Sequence, residues 1–253
     1  MSGAWDAFLA LWVGMPSLAQ VALLSWVVCT ISLPIFRWFW SDRGLRWSVT
    51  IGVVAQAITV LLILGSAWGW ARATFTALMI LALGWTVEYL GSHTGFPFGR
   101  YHYTNRLWPQ LGNVPLLIPV AWLMMLPPAW AIGQAIVAEQ RLLFVGASAL
   151  AFTTWDLFLD PQMVSWQLWV WDRPRGYFGI PWVNYLGWFA AAAVITAIAA
   201  PPPLPMGQLG LVYGITWILE TIGLGILWRQ PGPALCGFLV MGAMLLWAVL
   251  VGG

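Results

Sequence analysis

The sequence predicts an all-α, polytopic integral membrane protein, a helical bundle with about eight transmembrane helices. Of its 253 residues 61% are hydrophobic and 7% are charged, and the mean hydropathy is +0.84. Such a chain has too few polar residues to cover a water-facing surface. Apolar stretches of about 20 residues, the length of a membrane-spanning helix, recur along it. Its 21 Trp are typical of the aromatic belts that anchor membrane proteins at both interfaces.

The apolar stretches predict eight spans within a single transmembrane domain, residues 1–253. The spans lie near 17–36, 49–69, 73–91, 114–137, 142–160, 183–200, 208–228 and 233–251. The fourth contains Pro115, Pro119, Pro127 and Pro128. Because proline removes a backbone donor, we expect this span to be kinked or broken. Seven and nine are the competing counts of spans.

Arginine placement predicts the orientation, because cytoplasmic loops carry the excess of positive charge. If both termini are outside, two arginines lie outside, Arg72 and Arg141. The others lie inside: Arg37, Arg43, Arg46, Arg100, Arg106, Arg173, Arg175 and Arg229. This bias predicts a multi-pass protein of the cell (inner) membrane with both termini outside. The two longest connections, 92–113 and 161–182, are then cytoplasmic.

These two connections also carry most of the Gly, Pro, His, Tyr and Trp signals, as expected where function lies on loops held by a rigid scaffold. Each contains an aromatic pair that follows an acid. Glu88 precedes Tyr101 and Tyr103. Asp156 precedes the pair Trp169 and Trp171. This repeated pattern suggests two helix–loop–helix units that face each other. A sequence so rich in aromatic residues produces such a repeat by chance as readily.

Four acidic residues fall within or at the ends of predicted spans: Glu88, Asp156, Asp160 and Glu220. An ionisable group there is costly unless it faces the protein interior or water, so each is a functional candidate. All four lie in the predicted cytoplasmic half and could converge on one site. The i,i+4 spacing puts Asp156 and Asp160 on one helix face, and Pro161 is expected to end that helix. The alternative is that these carboxylates pair with loop arginines and only hold loops to helices.

No metal site and no nucleic-acid partner is predicted. His93 and His102 flank a Gly-Phe-Pro-Phe-Gly turn without the spacing of a metal site, and Cys29 and Cys236 lie singly in apolar stretches. The arginines are scattered, so the chain lacks the basic patch that nucleic acids require.

The motifs of the two long connections resemble a known family. They read EYLGSHTGFPFGRYHYT from Glu88, LGNVP from Leu111, WDLFLDP from Trp155, WVW from Trp169 and GYFGIPWVNYLGW from Gly176. In these motifs the chain resembles the membrane carotenoid-biosynthesis family of γ-carotene 1′-hydratases and bisanhydrobacterioruberin hydratases. The resemblance runs from about residue 85 to residue 190.

The resemblance implies a carotenoid hydratase, a hydro-lyase that adds water to the terminal C1=C2 double bond of an acyclic ψ-end group. The product is a tertiary 1-hydroxy carotenoid, and the reaction needs no cofactor. The implied partners are the carotenoid substrate, membrane lipid and other enzymes of the carotenoid pathway.

Such a hydration needs an acid, a base for water and a surface that stabilises the tertiary cation. We expect Asp156 or Glu88 to be the acid and Asp160 to be the base or its orienter, with His93 as a second candidate for the water. Aromatic faces can stabilise the cation. The substrate-binding candidates are Tyr101, Tyr103, Trp169, Trp171, Tyr177 and Asn184.

Other classes of function stay open. The DxxxD run from Asp156 to Asp160 could hold Mg²⁺ and a diphosphate, as in a membrane prenyltransferase, but a second Asp-rich motif is missing from the sequence. Intramembrane carboxylates also mark carotenoid or proton-coupled transporters, and a carotenoid-binding scaffold is a third alternative.

Overall fold

The computed structural model describes residues 2–137 and 140–252. Its helices are α1 (Ser2–Val13), α2 (Ser17–Trp68), α3 (Trp70–Thr94), α4 (Leu117–Val137), α5 (Arg141–Ser165), α6 (Trp182–Ala199), α7 (Met206–Ile222) and α8 (Pro231–Gly252). A π-helical turn, Gly223–Leu227, continues α7. The short strands are β1 (Tyr101–Tyr103), β2 (Gln110–Leu111), β3 (Val114–Pro115) and β4 (Trp169–Trp171). The predicted all-α membrane bundle is confirmed.

Helix α2 consists of two membrane-spanning segments that fold back on each other. Its 52 residues would be about 78 Å long in one straight helix, far more than the roughly 30 Å of a hydrocarbon core. Ser41 has φ 49° and ψ −131°, and the chain reverses there. A Cβ built on Gly52 would lie 3.8 Å from Thr30 Oγ1, so residues 17–40 pack beside residues 42–68. Among the residues that the structure describes, seven helices are long and apolar enough to cross a membrane, and because α2 folds back on itself they make eight crossings.

Helix α4 forms the centre of the bundle. It packs against α2, α3, α5, α7 and α8, and 78% of its most apolar stretch is buried, against 28% for α7 and for α8. The expected break is wrong, because α4 is continuous through Pro127 and Pro128. Neighbouring helices on every side can hold such a helix together. The fourth span also begins later than predicted, at Leu117, because Val114 and Pro115 form a strand.

Helix α5 also passes through its proline, contrary to the sequence expectation. Pro161 cannot donate to the carbonyl of Leu157, four residues earlier. The Tyr177 hydroxyl donates to that carbonyl instead, at 3.1 Å. Burial raises the pKa of Tyr177, so the hydroxyl remains a donor. With the carbonyl satisfied, α5 continues to Ser165.

The two long connections, residues 95–116 and 166–181, meet at one end of the bundle. β1 pairs antiparallel with β4, so that Tyr101 lies opposite Trp171 and Tyr103 opposite Trp169. The two aromatic pairs that follow an acid in the sequence are therefore cross-strand neighbours.

Two contacts attach other elements to this end of the molecule. Arg106 Nη1 lies 3.5 Å from Asp42 Oδ1, beside the α2 reversal, and donates to the Trp166 carbonyl at 3.2 Å. Phe98 fills a gap between α3 and α6, because a Cβ on Gly91 would lie 2.5 Å from its ring and a Cβ on Gly187 would lie 2.8 Å from it. Glycine at both positions allows the loop to sit between the two helices.

Candidate active site

A cavity of about 640 Å³ lies where the β1–β4 ribbon covers the ends of α3, α4, α5 and α6. We call it the ribbon cavity. Its acidic lining residues are Glu88 and Asp160, and Asn184 also lines it. Its aromatic lining residues are Phe98, Tyr101, Tyr103, Trp122, Trp169, Trp171 and Trp188. The cavity thus combines buried carboxyl groups with aromatic faces.

Glu88 is fixed by three donors from two other elements. The Tyr101 and Tyr103 hydroxyls each donate to Oε2 at 2.6 Å, and the Trp122 indole donates to Oε1 at 3.0 Å. Alternation in a strand normally sends every second side chain to the same face, which is why Tyr101 and Tyr103 reach the same carboxyl group. Glu88 itself is 3% exposed.

The two tyrosines act as donors because their hydroxyls stay protonated. Burial, with the nearby Glu88 carboxyl as a second cause, raises the pKa of Tyr101 and of Tyr103 well above the usual value. Hydrogen bonds from neutral O–H donors to a carboxylate are short and strong, which agrees with the 2.6 Å distances.

Asp156 and Asp160 share one amide. Asn184 Nδ2 donates to Asp156 Oδ2 at 2.9 Å and makes a short hydrogen bond to Asp160 Oδ2, and Trp169 Nε1 donates to Asp160 Oδ1 at 2.9 Å. Asp160 lines the ribbon cavity, whereas Asp156 lies behind it, outside the cavity lining. Oδ1 of Asp156 has no hydrogen-bond partner within residues 2–137 and 140–252. The i,i+4 spacing therefore places two carboxyl groups on one amide, with one of them lining the cavity.

The buried carboxyl groups are not held by arginine. In the part of the chain that the structure describes, the ion pairs are Arg106 with Asp42 and His102 with Asp172. Both pairs are exposed to solvent and hold loops in place. The alternative in which Glu88, Asp156 and Asp160 merely anchor arginines therefore fails.

Three candidate residues lie outside the lining of the ribbon cavity, namely Asp156, described above, His93 and Tyr177. His93 is exposed, its Nδ1 lies 2.8 Å from the Tyr89 carbonyl oxygen, and its ring stacks on Tyr89. Tyr177 contacts the α5 backbone as described above. The other predicted residues, namely Glu88, Asp160, Tyr101, Tyr103, Trp169, Trp171 and Asn184, all line the cavity.

Trp122, Trp188 and Phe98 line the cavity but were not predicted from the sequence. Trp122 and Trp188 stack at 5.0 Å between ring centroids, and Phe98 lies 6.2 Å from Trp188. Trp122 lies in the second turn of α4, near an end of its span, where anchoring tryptophans also gather. The sequence therefore contains no signal that separates it from an anchoring residue.

Glu220, the fourth acid, lies on a different cavity of about 980 Å³, together with Gln56 and Thr216. We call it the second cavity. The four intramembrane acids therefore do not converge on one site, because three belong to the ribbon cavity and its rear wall and one does not.

Comparison with known proteins gives the family. The family model described as "Carotenoid biosynthesis protein" matches residues 47–244, most of the chain. The chain belongs to this carotenoid biosynthesis family. The match includes Glu88, Asp156, Asp160 and both long connections, and it confirms the family resemblance of their motifs.

A curated relative of this family member is the bisanhydrobacterioruberin hydratase of Haloarcula japonica. The two are 30% identical over 130 residues, which cover 49% of this chain and 43% of the relative. The chain therefore matches less than half the length of that hydratase. No solved structure matches the chain.

Proposed function

We propose that this chain is a carotenoid hydratase that adds water to the terminal C1=C2 double bond of an acyclic ψ-end group and gives a tertiary 1-hydroxy carotenoid. One observation carries the proposal: buried carboxyl groups free of arginine line an aromatic cavity at one end of a membrane bundle. The family and the hydratase name of the relative support the same substrate class and reaction.

The acid in this proposal is Asp160, the member of the aspartate pair that lines the cavity. Two ionised carboxylates bound to one buried amide would repel each other, so the pair holds a proton. Asp160 delivers that proton to C2, the less substituted carbon, and the C=C π electrons form the new C–H bond. The sequence suggests Asp156 or Glu88 as the acid and Asp160 as the base or its orienter. We assign the acid role to Asp160 instead, because Asp156 is outside the cavity lining, and we assign Asp156 as the positioning residue that shares the proton.

The cation that forms at C1 needs electron-rich neighbours. The faces of Trp169, Trp171 and Tyr101 line the cavity and can stabilise a cation as they do in other sites. The cation carries acidic C–H protons next to C1, but these rings do not remove them, because an indole N–H is only a donor and a neutral phenol is a very weak base. The aromatic wall thus stabilises the intermediate without competing for the proton.

The base for water in this proposal is Glu88. All three of its partners donate to it, and hydrogen bonds that a carboxylate accepts favour its charged form over its neutral form. Water attacks C1, Glu88 takes one of its protons, and the other remains in the new hydroxyl group. A proton then returns from Glu88 to the aspartate pair through solvent, so that alkene plus water gives alcohol with no net change in the protein.

The position of the cavity suits this substrate. An extended carotenoid is about as long as the roughly 30 Å hydrocarbon core, so its end group reaches the interface. A cavity at one end of the bundle has the lipid-soluble chain on one side and water on the other. We propose that this end faces the cytoplasm, as the arginine bias predicts.

The test is hydration by the purified protein. In detergent or lipid, without oxygen and without an added cofactor, we expect an acyclic-ended carotenoid to be converted to its tertiary alcohol. In water enriched in ¹⁸O the product should carry the heavy isotope, because the hydroxyl oxygen comes from solvent.

Three outcomes would contradict the proposal. Oxygen incorporation from O₂ would indicate an oxygenase. A requirement for a prenyl diphosphate would indicate a transferase, and accumulation of unmodified carotenoid across a vesicle membrane would indicate transport.

A further inference from the structure

We propose that the second cavity holds the polyene chain of the same substrate molecule whose end group lies in the ribbon cavity. This inference rests on the proposed function, and it extends the substrate site from an end group to a long isoprenoid. It gives a function to the space between the two segments of α2, α5 and α7, a space that the hydration chemistry does not use.

The two cavities share one apolar wall. The side chains that line both are Val49, Val53, Met124, Leu159 and Met163. None of them is polar, and the two methionines are flexible side chains that adapt to irregular partners. In this proposal the hydrocarbon chain runs along these five apolar side chains from one cavity to the other.

The ribbon cavity alone is too small for a carotenoid. A sphere of about 640 Å³ is about 11 Å across, whereas the extended molecule is about as long as the roughly 30 Å hydrocarbon core. The rest of the chain needs an apolar space next to the site. The second cavity, which encloses about 980 Å³ including the part open to solvent and is bordered by the same five side chains, offers that space.

The lining of the second cavity fits a conjugated chain. Four indole rings line it: Trp26, Trp155, Trp166 and Trp228. Flat aromatic faces bury a large apolar area against a flat partner. Three of its polar side chains are grouped, because Thr216 and Glu220 are one turn apart on α7 and Gln56 Nε2 donates to Thr216 Oγ1 at 3.1 Å. Thr30 and Ser48 donate to backbone carbonyls of their own helix, and Gln162 also lines the cavity. The polyene is therefore expected to lie against the apolar side chains that the two cavities share.

Gly52 offers a way to fill the second cavity without touching the ribbon cavity. It lines only the second of the two cavities, and a Cβ there would make ordinary contacts, 3.8 Å to Thr30 Oγ1 and 4.0 Å to Trp26 Cδ1. Gly52→Ala should therefore be tolerated, whereas the longer side chain of Gly52→Leu should extend into the space proposed for the polyene. The matched control is Gly146→Leu, since a Cβ at Gly146 has no atom within 4 Å.

The experiment compares two substrates with the same terminal double bond, a full-length acyclic carotene and a short acyclic C10 diene. For Gly52→Leu we expect KM for the carotene to rise by roughly tenfold or more, since several carbon atoms of the polyene lose their burial. KM for the diene and kcat for both should stay at the wild-type values. Gly146→Leu should behave as wild type with both substrates, and Gly52→Ala should raise KM for the carotene much less than Gly52→Leu does.

A binding measurement separates this inference from the proposed function. Quenching of tryptophan fluorescence by the carotene gives Kd without turnover, and Gly52→Leu should weaken it by the same factor as KM. If wild-type protein hydrates neither substrate, the proposed function fails while the Kd comparison still tests the cavity. An equal change for both substrates, or an unchanged Kd and KM for the carotene, would overturn the inference.

Discussion

The four intramembrane acids differ in what surrounds each of them. Glu88 accepts three hydrogen bonds, whereas Asp156 and Asp160 share the Asn184 amide. Glu220 lines the second cavity, together with Gln56 and Thr216. Replacement of a carboxyl group by an amide keeps the shape and removes the titratable proton, so the four amide variants can assign a chemical role to each acid.

We expect Asp160→Asn and Glu88→Gln to lower kcat by about 10²- to 10⁴-fold, the usual contribution of general acid–base catalysis. Asp156→Asn should also lower kcat, because the aspartate pair loses its shared proton. Product formed per mole of purified protein at saturating substrate measures this. Expression and thermal stability should remain near wild type, because each amide fills the same volume.

Glu220→Gln is the matched control, since it makes the same chemical change outside the ribbon cavity. Its kcat should equal that of the wild type. Near-wild-type kcat in both Asp160→Asn and Glu88→Gln would rule out the proposed acid and base. Failure of these variants to accumulate would show that the carboxyl groups serve mainly to hold the fold.

At the scale of an element, the course of α5 depends on a side chain from another part of the chain. The helix brings Asp156 and Asp160 to the site and continues past Pro161, whose missing N–H leaves the Leu157 carbonyl without its helical donor. The Tyr177 hydroxyl takes that place at 3.1 Å. Tyr177, predicted to bind substrate, is therefore expected to act on the helix that carries the aspartates.

This account predicts a coupled pair of substitutions. Tyr177→Phe keeps the ring and removes the donor, so the free energy of unfolding should fall by about 1 kcal/mol or more, the value of a lost hydrogen bond to a buried carbonyl. Pro161→Ala restores a backbone N–H that can reach Leu157. In that background Tyr177→Phe should cost much less. Thermal unfolding in detergent measures all four proteins, and an equal loss in both backgrounds would contradict the role given to Tyr177.

At the scale of the whole molecule, the eight crossings place most of the arginines at the end that holds the ribbon cavity. Arg37, Arg43 and Arg46 flank the α2 reversal, and Arg106 joins that reversal to the long connections. Positive charge gathers on the cytoplasmic side of membrane proteins. We therefore expect the site to open toward the cytoplasm.

Cysteine labelling in intact cells tests this orientation. In a variant without Cys29 and Cys236, Ser92→Cys and Asp172→Cys should resist a thiol reagent that cannot cross the membrane and should react after the cells are opened. Gln140→Cys, exposed at the opposite end of the bundle, is the control and should react in intact cells. The reverse pattern would show that the ribbon cavity faces outward.

The sequence by itself determined the class of fold and the family motifs, because both depend on local composition. The length of each apolar stretch predicts a span whatever its neighbours are, and this held even for α2, where Ser41 divides one long helix into two spans. The acids were visible as candidates for a similar reason, since a charge in a membrane span is costly wherever the span packs.

The tertiary structure alone decided which candidates share a site, because side chains from distant segments meet only after the helices pack. It brought Trp122 to Glu88 and Asn184 to the aspartate pair, and it left His93 on the surface. It also decided whether a helix ends at its proline or continues past it. Whether a carbonyl without its helical donor ends a helix depends on whether another group can reach it, and for α5 that group is the Tyr177 hydroxyl, contributed by a loop that follows the helix.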